Sequence, residues 1–284
     1  MNFKKIGLFQ MPTDAFQGDF VKTGEFISFW NSKWDWDDDL PLNTSGKAMR
    51  TFLVKRKLLS EDTSSHIYPG IPNNASRKNY LNSKISIAAA ELEKTKTPSD
   101  NILFDVFNAI QYWGASTGRR FYLQNFLTES NADKFFEGWV KNIKPTYLSI
   151  ISELSKEESD IDKVIVLFDK IDGLGVSFGT KHLHFWSKAL GRKNTLPIYD
   201  KNIYQLLRAD VRKFPNWSQY LEVVEEFENI AKTLKMTAAD VERAFFAYHS
   251  KVGINRSNVV PEEFAKLDHT IVVNAFLNRR LTMS

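Results

Sequence analysis

The sequence of 284 residues contains no cysteine. A disulfide framework, a thiol nucleophile and a cysteine-ligated iron–sulfur cluster are therefore excluded. Apolar runs are short, and none approaches the roughly 18 residues that a membrane-spanning helix requires. The N-terminal residues MNFKKIGLFQMP also lack the sustained apolar segment of a secretory signal peptide. From these absences we expect a cytoplasmic protein that does not insert into membranes.

The excess of basic over acidic residues is small. The chain has 38 Lys and Arg residues against 34 Asp and Glu residues, which gives a formal charge of +4. This balance permits nucleic-acid binding without requiring it, because the clustering of charge matters more than the total. With 43% hydrophobic and 13% aromatic residues, the composition is that of a globular protein.

Helical periodicity divides the chain near residue 82. Residues 1–82 combine frequent Gly, Pro, Asn, Asp and Ser with weak periodicity, which predicts an N-terminal subdomain of mixed or irregular structure. In residues 83–284, apolar residues recur at helical spacing and strand-like alternation is scarce. The sequence therefore predicts a mainly α fold. The predicted helices include 132–143, 145–155, 201–210, 217–234, 238–249 and 261–279.

The segment 173–207 is the part of the chain with the clearest chemical pattern. Gly175 and Gly179 flank the triplet Val-Ser-Phe, a spacing that predicts a short hairpin between helices. Glycine in such a hairpin permits positive φ and lets backbone N–H groups approach a phosphate closely. On this interpretation Lys181 stands at the start of the next helix. After Pro197 interrupts the chain, Asp200 is placed as the N-cap of the helix that follows.

Lys181 and Asp200 each allow a structural and a chemical interpretation. Lys181 is either a surface lysine beside a helix start or a nucleophile whose pKa is lowered by apolar neighbours such as Phe178. Asp200 is either a capping residue, worth about 1 kcal/mol, or a carboxylate that also faces a reaction site. The two roles of the aspartate are compatible.

A resemblance favours the chemical interpretation of both residues. The tripeptide Gly-Thr-Lys at 179–181, followed nineteen residues later by Asp200, resembles the helix-hairpin-helix DNA glycosylase superfamily, and most closely its 8-oxoguanine DNA glycosylase branch. The stretches KHLHF at 181–185 and LPIYD at 196–200 also resemble a less characterised prokaryotic group with the same fold. The absence of cysteine separates the chain from the branches that carry an iron–sulfur cluster. Ser177 stands where the family hairpin usually has its first glycine, and Asn202 stands where the family often has histidine.

The resemblance implies a reaction and a partner. Lys181 would attack the sugar C1′ of a flipped nucleotide, and Asp200 would activate the lysine and stabilise positive charge on the sugar. The resulting Schiff base could undergo β-elimination and nick the strand. The implied partner is DNA, as a duplex with a flipped modified base, and the protein is expected to act as a monomer without cofactors. The residues that the resemblance places at DNA or in a base pocket are Gly175, Gly179, Thr180, Arg119, Arg120, Phe245, His249 and Asn202.

Several of these residues have an equally simple structural interpretation. Arg119 and Arg120 follow a helix where the family carries gap-filling residues, but a solvated turn fits the pattern as well. Phe245 lies at helical spacing typical of a core residue. His182 and His184 are two positions apart, so on a helix they point to different sides and make a poor metal pair. We therefore predict no metal site.

Three hypotheses remain open from the sequence. The first is a DNA glycosylase with lyase activity that excises an 8-oxoguanine-like purine. The second is the same fold adapted to another modified nucleobase, such as a deazaguanine-type base in antiphage defence. The third is a module that binds a modified base or nucleic acid without catalysis.

Overall fold

The computed structural model of the protein describes residues 27–28, 77–114, 132–208 and 215–252. Within these ranges the regular structure is helical and contains no strand, which confirms the predicted mainly α fold. Most of the predicted N-terminal subdomain and the predicted helix 261–279 lie outside the described residues. No helix in the described ranges has both the length and the apolar character needed to cross a bilayer.

The described residues divide into two units, with the boundary between Arg192 and Lys193. The first unit contains the described residues from 77 to 192, and the second contains residues 27–28 and those from 193 onwards. The helices of the first unit are α1 Arg77–Thr95, α2 Asp100–Trp113, α3 Ala132–Asn142, α4 Lys144–Leu154, α5 Ile161–Asp169 and α6 Val176–Ala189. Those of the second unit are α7 Lys201–Arg208, α8 Tyr220–Leu234 and α9 Ala238–Val252, with a 3₁₀ turn at Trp217–Gln219.

The apolar stripe of α2 forms the centre of the first unit. Leu103, Val106, Phe107 and Ile110 are all fully buried, as their helical spacing predicts. Helix α1 packs along α2 and already includes residues before 83, so it runs through the predicted subdomain boundary. The division of the chain into an N-terminal subdomain at 1–82 and a helical glycosylase-like domain at 83–284 stays a prediction.

Helices α3 and α4 follow their predicted positions closely, and α5 was not predicted as a helix. Pro145 lies in the first turn of α4, where the missing N–H of proline has no intrahelical partner to lose. Asp160 caps α5, because its Oδ1 accepts the N–H of Lys163 at 3.0 Å. Glu153 of α4 forms ion pairs with Lys156 at 2.8 Å and with Lys163 at 2.7 Å. The pair with Lys163 ties α4 to α5.

The connection between α5 and α6 corrects the predicted hairpin. The chain reverses in residues 170–175, where Gly173 adopts the left-handed conformation with φ of +78°. Gly175 is the N-cap of α6, and the N–H of Gly179 donates to the Gly175 carbonyl at 2.9 Å as an ordinary helical bond. The triplet Val-Ser-Phe therefore forms the first turn of α6. Lys181 lies in the second turn and not at the helix start, because the reversal is complete before Gly175.

The second unit also agrees with the predicted helices. Helix α9 begins with a reciprocal cap in which the Thr237 N–H donates to Asp240 Oδ2 at 3.0 Å and the Asp240 N–H donates to Thr237 Oγ1 at 3.2 Å. Helices α7 and α8 each pack against α9. Their buried faces include Ile203, Phe227 and Phe245.

Candidate functional site

Lys181 projects from α6 into a largely buried environment. The residue is only 7% exposed, and its Nζ donates to the Ser177 carbonyl one turn earlier at 2.8 Å. The same Nζ lies over the Phe178 ring, 5.0 Å from its centroid. The immediate surroundings of the Lys181 amine therefore include a backbone carbonyl and an aromatic ring face.

Helix α6 is buried along most of its length, and this accounts for several predicted contact residues. Thr180 is fully buried, and its Oγ1 donates to the Val176 carbonyl at 2.8 Å. Gly179 is buried within the helix, whereas Gly175 is exposed at its N-terminus. The contacts of these three residues with DNA stay predictions. Of the three, Gly175 has the exposure that a direct phosphate contact needs.

A chain of buried polar groups holds α6 against α2 and α4. Trp186 Nε1 donates to the Tyr147 hydroxyl at 2.7 Å, and this hydroxyl lies 2.7 Å from Nδ1 of His182. The other ring nitrogen of His182 lies 3.1 Å from Nε2 of Gln111. The His182 ring also packs against the Phe107 ring with centroids 4.8 Å apart. Because His182 adjoins Lys181 in the chain, this network fixes the backbone from which the lysine projects.

The environment of His182 keeps its imidazole neutral. Burial in the core, reinforced by the positive charge of Lys181, lowers the pKa of His182 from 6.5 to about 3. Burial also raises the pKa of the Tyr147 hydroxyl, so the phenol stays protonated. The network is therefore composed of uncharged groups at neutral pH.

This lowered pKa predicts a pH-dependent loss of stability. In the unfolded chain His182 binds a proton near pH 6.5, whereas in the folded protein it does so only near pH 3. Between these values the unfolded state holds more protons, so the free energy of unfolding decreases as the pH falls. At pH 5 this residue alone should cost about 2 kcal/mol relative to pH 8. The decrease should be measurable by urea denaturation at a series of pH values.

His182→Gln is the control variant for the pH dependence of stability. The variant should be less stable than the wild type at pH 8, because its amide cannot reproduce both ring contacts. It should nevertheless lose less stability between pH 8 and pH 5, because the titrating group is gone. Equal pH slopes for the variant and the wild type would contradict the assignment of the effect to His182.

Asp200 caps α7 in the second unit, as predicted. Its Oδ1 accepts the backbone N–H of Asn202 at 2.9 Å and that of Ile203 at 3.2 Å. The side-chain Nδ2 of Asn202 donates to the other carboxylate oxygen, Oδ2, at 3.5 Å. Asp200 remains partly exposed. One oxygen therefore caps the helix, and the other accepts a long hydrogen bond from Asn202.

Aromatic residues fix the segment that leads to Asp200. The Tyr220 hydroxyl donates to the Pro197 carbonyl at 2.9 Å, and Tyr220 is fully buried. The Tyr199 ring stacks on the Tyr220 ring with centroids 6.4 Å apart. The Tyr199 hydroxyl also donates to Gln219 Oε1 at 3.3 Å. The start of α8 thereby restrains the backbone on the N-terminal side of Asp200.

One protein-family model matches a region that contains both Lys181 and Asp200. Residues 72–246, more than half of the chain, match the model of the family described as "Putative 8-oxoguanine DNA glycosylase OGG-like protein". The chain belongs to this OGG-like family. The resemblance inferred from the sequence is thereby confirmed, and the protein is DNA glycosylase-like and DNA-binding in general character. No match was found among the curated proteins or among the solved structures.

The remaining predicted residues of this OGG-like protein are distributed over both units. Lys181 lies in the first unit and Asp200 in the second, so their action as a pair stays a prediction. Phe245 is 2% exposed and stacks on Phe227 with ring centroids 5.9 Å apart, which places it in the core of the second unit. His249 lies one turn later on α9. A base-contacting role for either residue stays a prediction, and Arg119 and Arg120 lie outside the described residues.

Sequence analysis overlooked two members of the polar network, Gln111 and Tyr147. Gln111 is fully buried on α2, where it follows directly after the apolar stripe. A polar residue that continues a buried apolar pattern requires a partner, and this is the signal that could have identified it. Within the described part of the OGG-like chain, no group of three or more His, Asp or Glu residues could hold a metal ion.

Proposed function

We propose that the protein is a DNA glycosylase that excises a damaged or modified purine, with an 8-oxoguanine-like base as the lead substrate. The observation that carries this proposal is the buried amine of Lys181, in the Gly-Thr-Lys tripeptide of a member of the OGG-like family. Lysine is seldom buried without a specific reason, and a largely desolvated amine is a candidate for a reactive group. The family provides the reaction class for that group.

In the proposed reaction the neutral amine of Lys181 attacks C1′ of the flipped nucleoside. The bond from C1′ to the base nitrogen breaks, and the base leaves with the bonding electrons and takes up a proton. Loss of a proton from the lysine nitrogen and opening of the sugar ring then give a Schiff base. Removal of a C2′ proton expels the 3′ phosphate by β-elimination, which would give the protein its lyase activity. The Ser177 carbonyl can accept one N–H of the amine while the lone pair of the lysine nitrogen attacks C1′.

Asp200 would act through charge. Positive charge develops on the sugar as the base departs, and a carboxylate aimed at it stabilises the transition state more than the bound substrate. The capping bonds to Asn202 and Ile203 hold the carboxylate in one orientation, so little reorganisation is needed during reaction. We assign Asp200 this electrostatic role.

Access to the base requires flipping it out of the duplex, which costs a few kcal/mol. We propose that Gly175, which is exposed at the N-terminus of α6, faces a phosphate, with the buried Gly179 and Thr180 behind it in the same helix. We also propose that Arg119 and Arg120 contact phosphate or the orphaned base. Asn202, Phe245 and His249 are proposed to contribute to the base pocket. Each of these roles rests on the family resemblance.

One experiment tests the catalytic proposal. The protein is incubated with duplexes that each carry a single modified base, with an unmodified duplex as the control, in the presence and absence of borohydride. Base release together with a trapped covalent adduct on one modified duplex is the expected result. A panel that includes 8-oxoguanine and deazaguanine-type bases separates the repair substrate from the alternative of another modified nucleobase. Specific binding without base release or adduct would overturn the proposal and favour a recognition module.

A further inference from the structure

Gly114 and Phe178 are in unusually close contact in the first unit. Gly114 follows the last turn of α2, and a Cβ built on it would lie 2.3 Å from Cε1 and 2.7 Å from Cζ of the Phe178 ring. Such distances are far below van der Waals contact, so any other residue here would displace the ring. The backbone of Gly114, with φ of −68° and ψ of −3°, is one that every residue adopts readily. Glycine is therefore required at 114 for space and not for conformation.

The amine of Lys181 is a further neighbour of the Phe178 ring. Its Nζ lies over the ring, 5.0 Å from the centroid, and is bonded to the Ser177 carbonyl at 2.8 Å. Phe178 itself is 9% exposed, so it has little freedom to turn towards solvent. The ring is thus confined by Gly114, and the carbonyl and the ring together restrict where the amine can lie.

We propose that Phe178 is a positioning residue for the Lys181 amine and that Gly114 provides the space in which its ring lies. The inference rests on the proposed function in so far as the amine is a nucleophile. A flexible lysine side chain has many rotamers, and restricting it to those near one location raises the fraction that can attack. The ring face also attracts the charged form of the amine. Removing the ring should therefore change the placement of the Lys181 amine.

The placement can be measured without DNA. Protons above an aromatic ring resonate upfield. The ammonium and Hε proton signals of Lys181 should therefore be shifted upfield in proton–nitrogen-15 and proton–carbon-13 correlation spectra. Their assignment follows from their absence in Lys181→Gln. Phe178→Leu should remove the upfield shift, because the ring over which the amine lies is gone. Unshifted Lys181 signals in the wild type, or signals that Phe178→Leu leaves in place, would overturn the proposal.

A second lysine in the same unit supplies the matched control. Nζ of Lys84 lies 5.4 Å from the centroid of the Tyr80 ring on α1. Tyr80→Leu should move the Lys84 signals and leave those of Lys181 unchanged. Phe178→Leu should have the converse effect. If both variants move both sets of signals, the changes reflect a general disturbance of the unit and the specific placement is refuted.

The role of Gly114 is tested by a double-mutant cycle. Gly114→Ala should move the Phe178 ring, weaken the upfield shift of Lys181 and lower the midpoint of urea unfolding. Adding Phe178→Leu removes the ring atoms that clash, so the double variant should unfold at a higher urea concentration than additivity of the two changes predicts. Strict additivity would contradict the proposed contact. If Gly114→Ala does not fold, a double variant that does fold would likewise support the proposed contact, and a double variant that stays unfolded would contradict it.

The consequence for reaction is read from the pH dependence of adduct formation. If Phe178 positions the amine, Phe178→Leu should lower the high-pH plateau of the trapping rate by roughly tenfold, because a smaller fraction of lysine rotamers can attack. An unchanged plateau would restrict Phe178 to an electrostatic or structural role and would overturn the positioning proposal. Absence of any wild-type adduct would instead reject the glycosylase proposal, and the NMR result would still decide where the amine lies.

Discussion

Lys181→Gln is expected to abolish the borohydride-trapped adduct and to reduce base release by at least about 10³-fold. Without the amine there is no nitrogen that can form a Schiff base with C1′. Glutamine is chosen because it retains much of the apolar stem that contacts the surroundings of this 7% exposed residue. The measurement is single-turnover trapping and base release on the duplex that the wild type prefers.

Lys188→Gln is the matched control for this variant. Lys188 lies on the same helix, α6, but is exposed to solvent. It should form the adduct at the wild-type rate, and both variants should retain a cooperative unfolding transition. An adduct that persists in Lys181→Gln and maps by mass spectrometry to another lysine would contradict the assignment of the nucleophile.

The helices could be predicted from the sequence because their signals are local. Apolar spacing indicates α2, and the break at Pro197 predicts Asp200 at a helix start, where its carboxylate accepts backbone N–H groups. The family, too, could be inferred from a short tripeptide and the distance to Asp200, as the match over residues 72–246 confirms.

The hairpin was placed incorrectly because two glycines in a short stretch indicate a turn only when the backbone needs a left-handed residue. Gly173 meets that need with φ of +78°, while Gly179 is an ordinary helical residue that lets α6 pass through the core. The Asp-Gly pair at 172–173 was the better turn signal. The error moved the predicted start of α6 but left the identity of Lys181 as the principal residue unaffected.

Contacts between distant segments were beyond the reach of the sequence. The closeness of Gly114 to Phe178 and the bonds that link His182 to Tyr147 and Gln111 join residues separated by between 35 and 71 positions. The periodicity of one helix shows which of its faces is buried, but it does not show which residue of another helix lies against that face. These contacts surround the part of α6 that carries Lys181, so the environment of the lysine depends on tertiary packing that only the structure describes.

Asp200→Asn and Asp200→Ala should separate the two roles of this residue. Asparagine caps helices about as well as aspartate does, so Asp200→Asn should change the free energy of unfolding by less than about 0.5 kcal/mol. It lacks the negative charge, and base release should fall by about 10² to 10³-fold if the carboxylate stabilises the charged sugar. Asp200→Ala should lose activity to a similar extent and also about 1 kcal/mol of stability, because the bonds to Asn202 and Ile203 disappear.

The N-cap of α5 is a control for the loss of stability that follows from changing a helix cap. Asp160 accepts the Lys163 N–H at 3.0 Å in the same capping geometry but is exposed and has no proposed part in the reaction. Asp160→Asn and Asp160→Ala should reproduce the stability changes of the Asp200 variants while base release stays at the wild-type rate. If Asp200→Asn were as active as the wild type, the carboxylate charge would have no catalytic role and Asp200 would be a helix cap only. The contrast between asparagine and alanine at the two caps therefore decides whether Asp200 acts in the reaction through its charge.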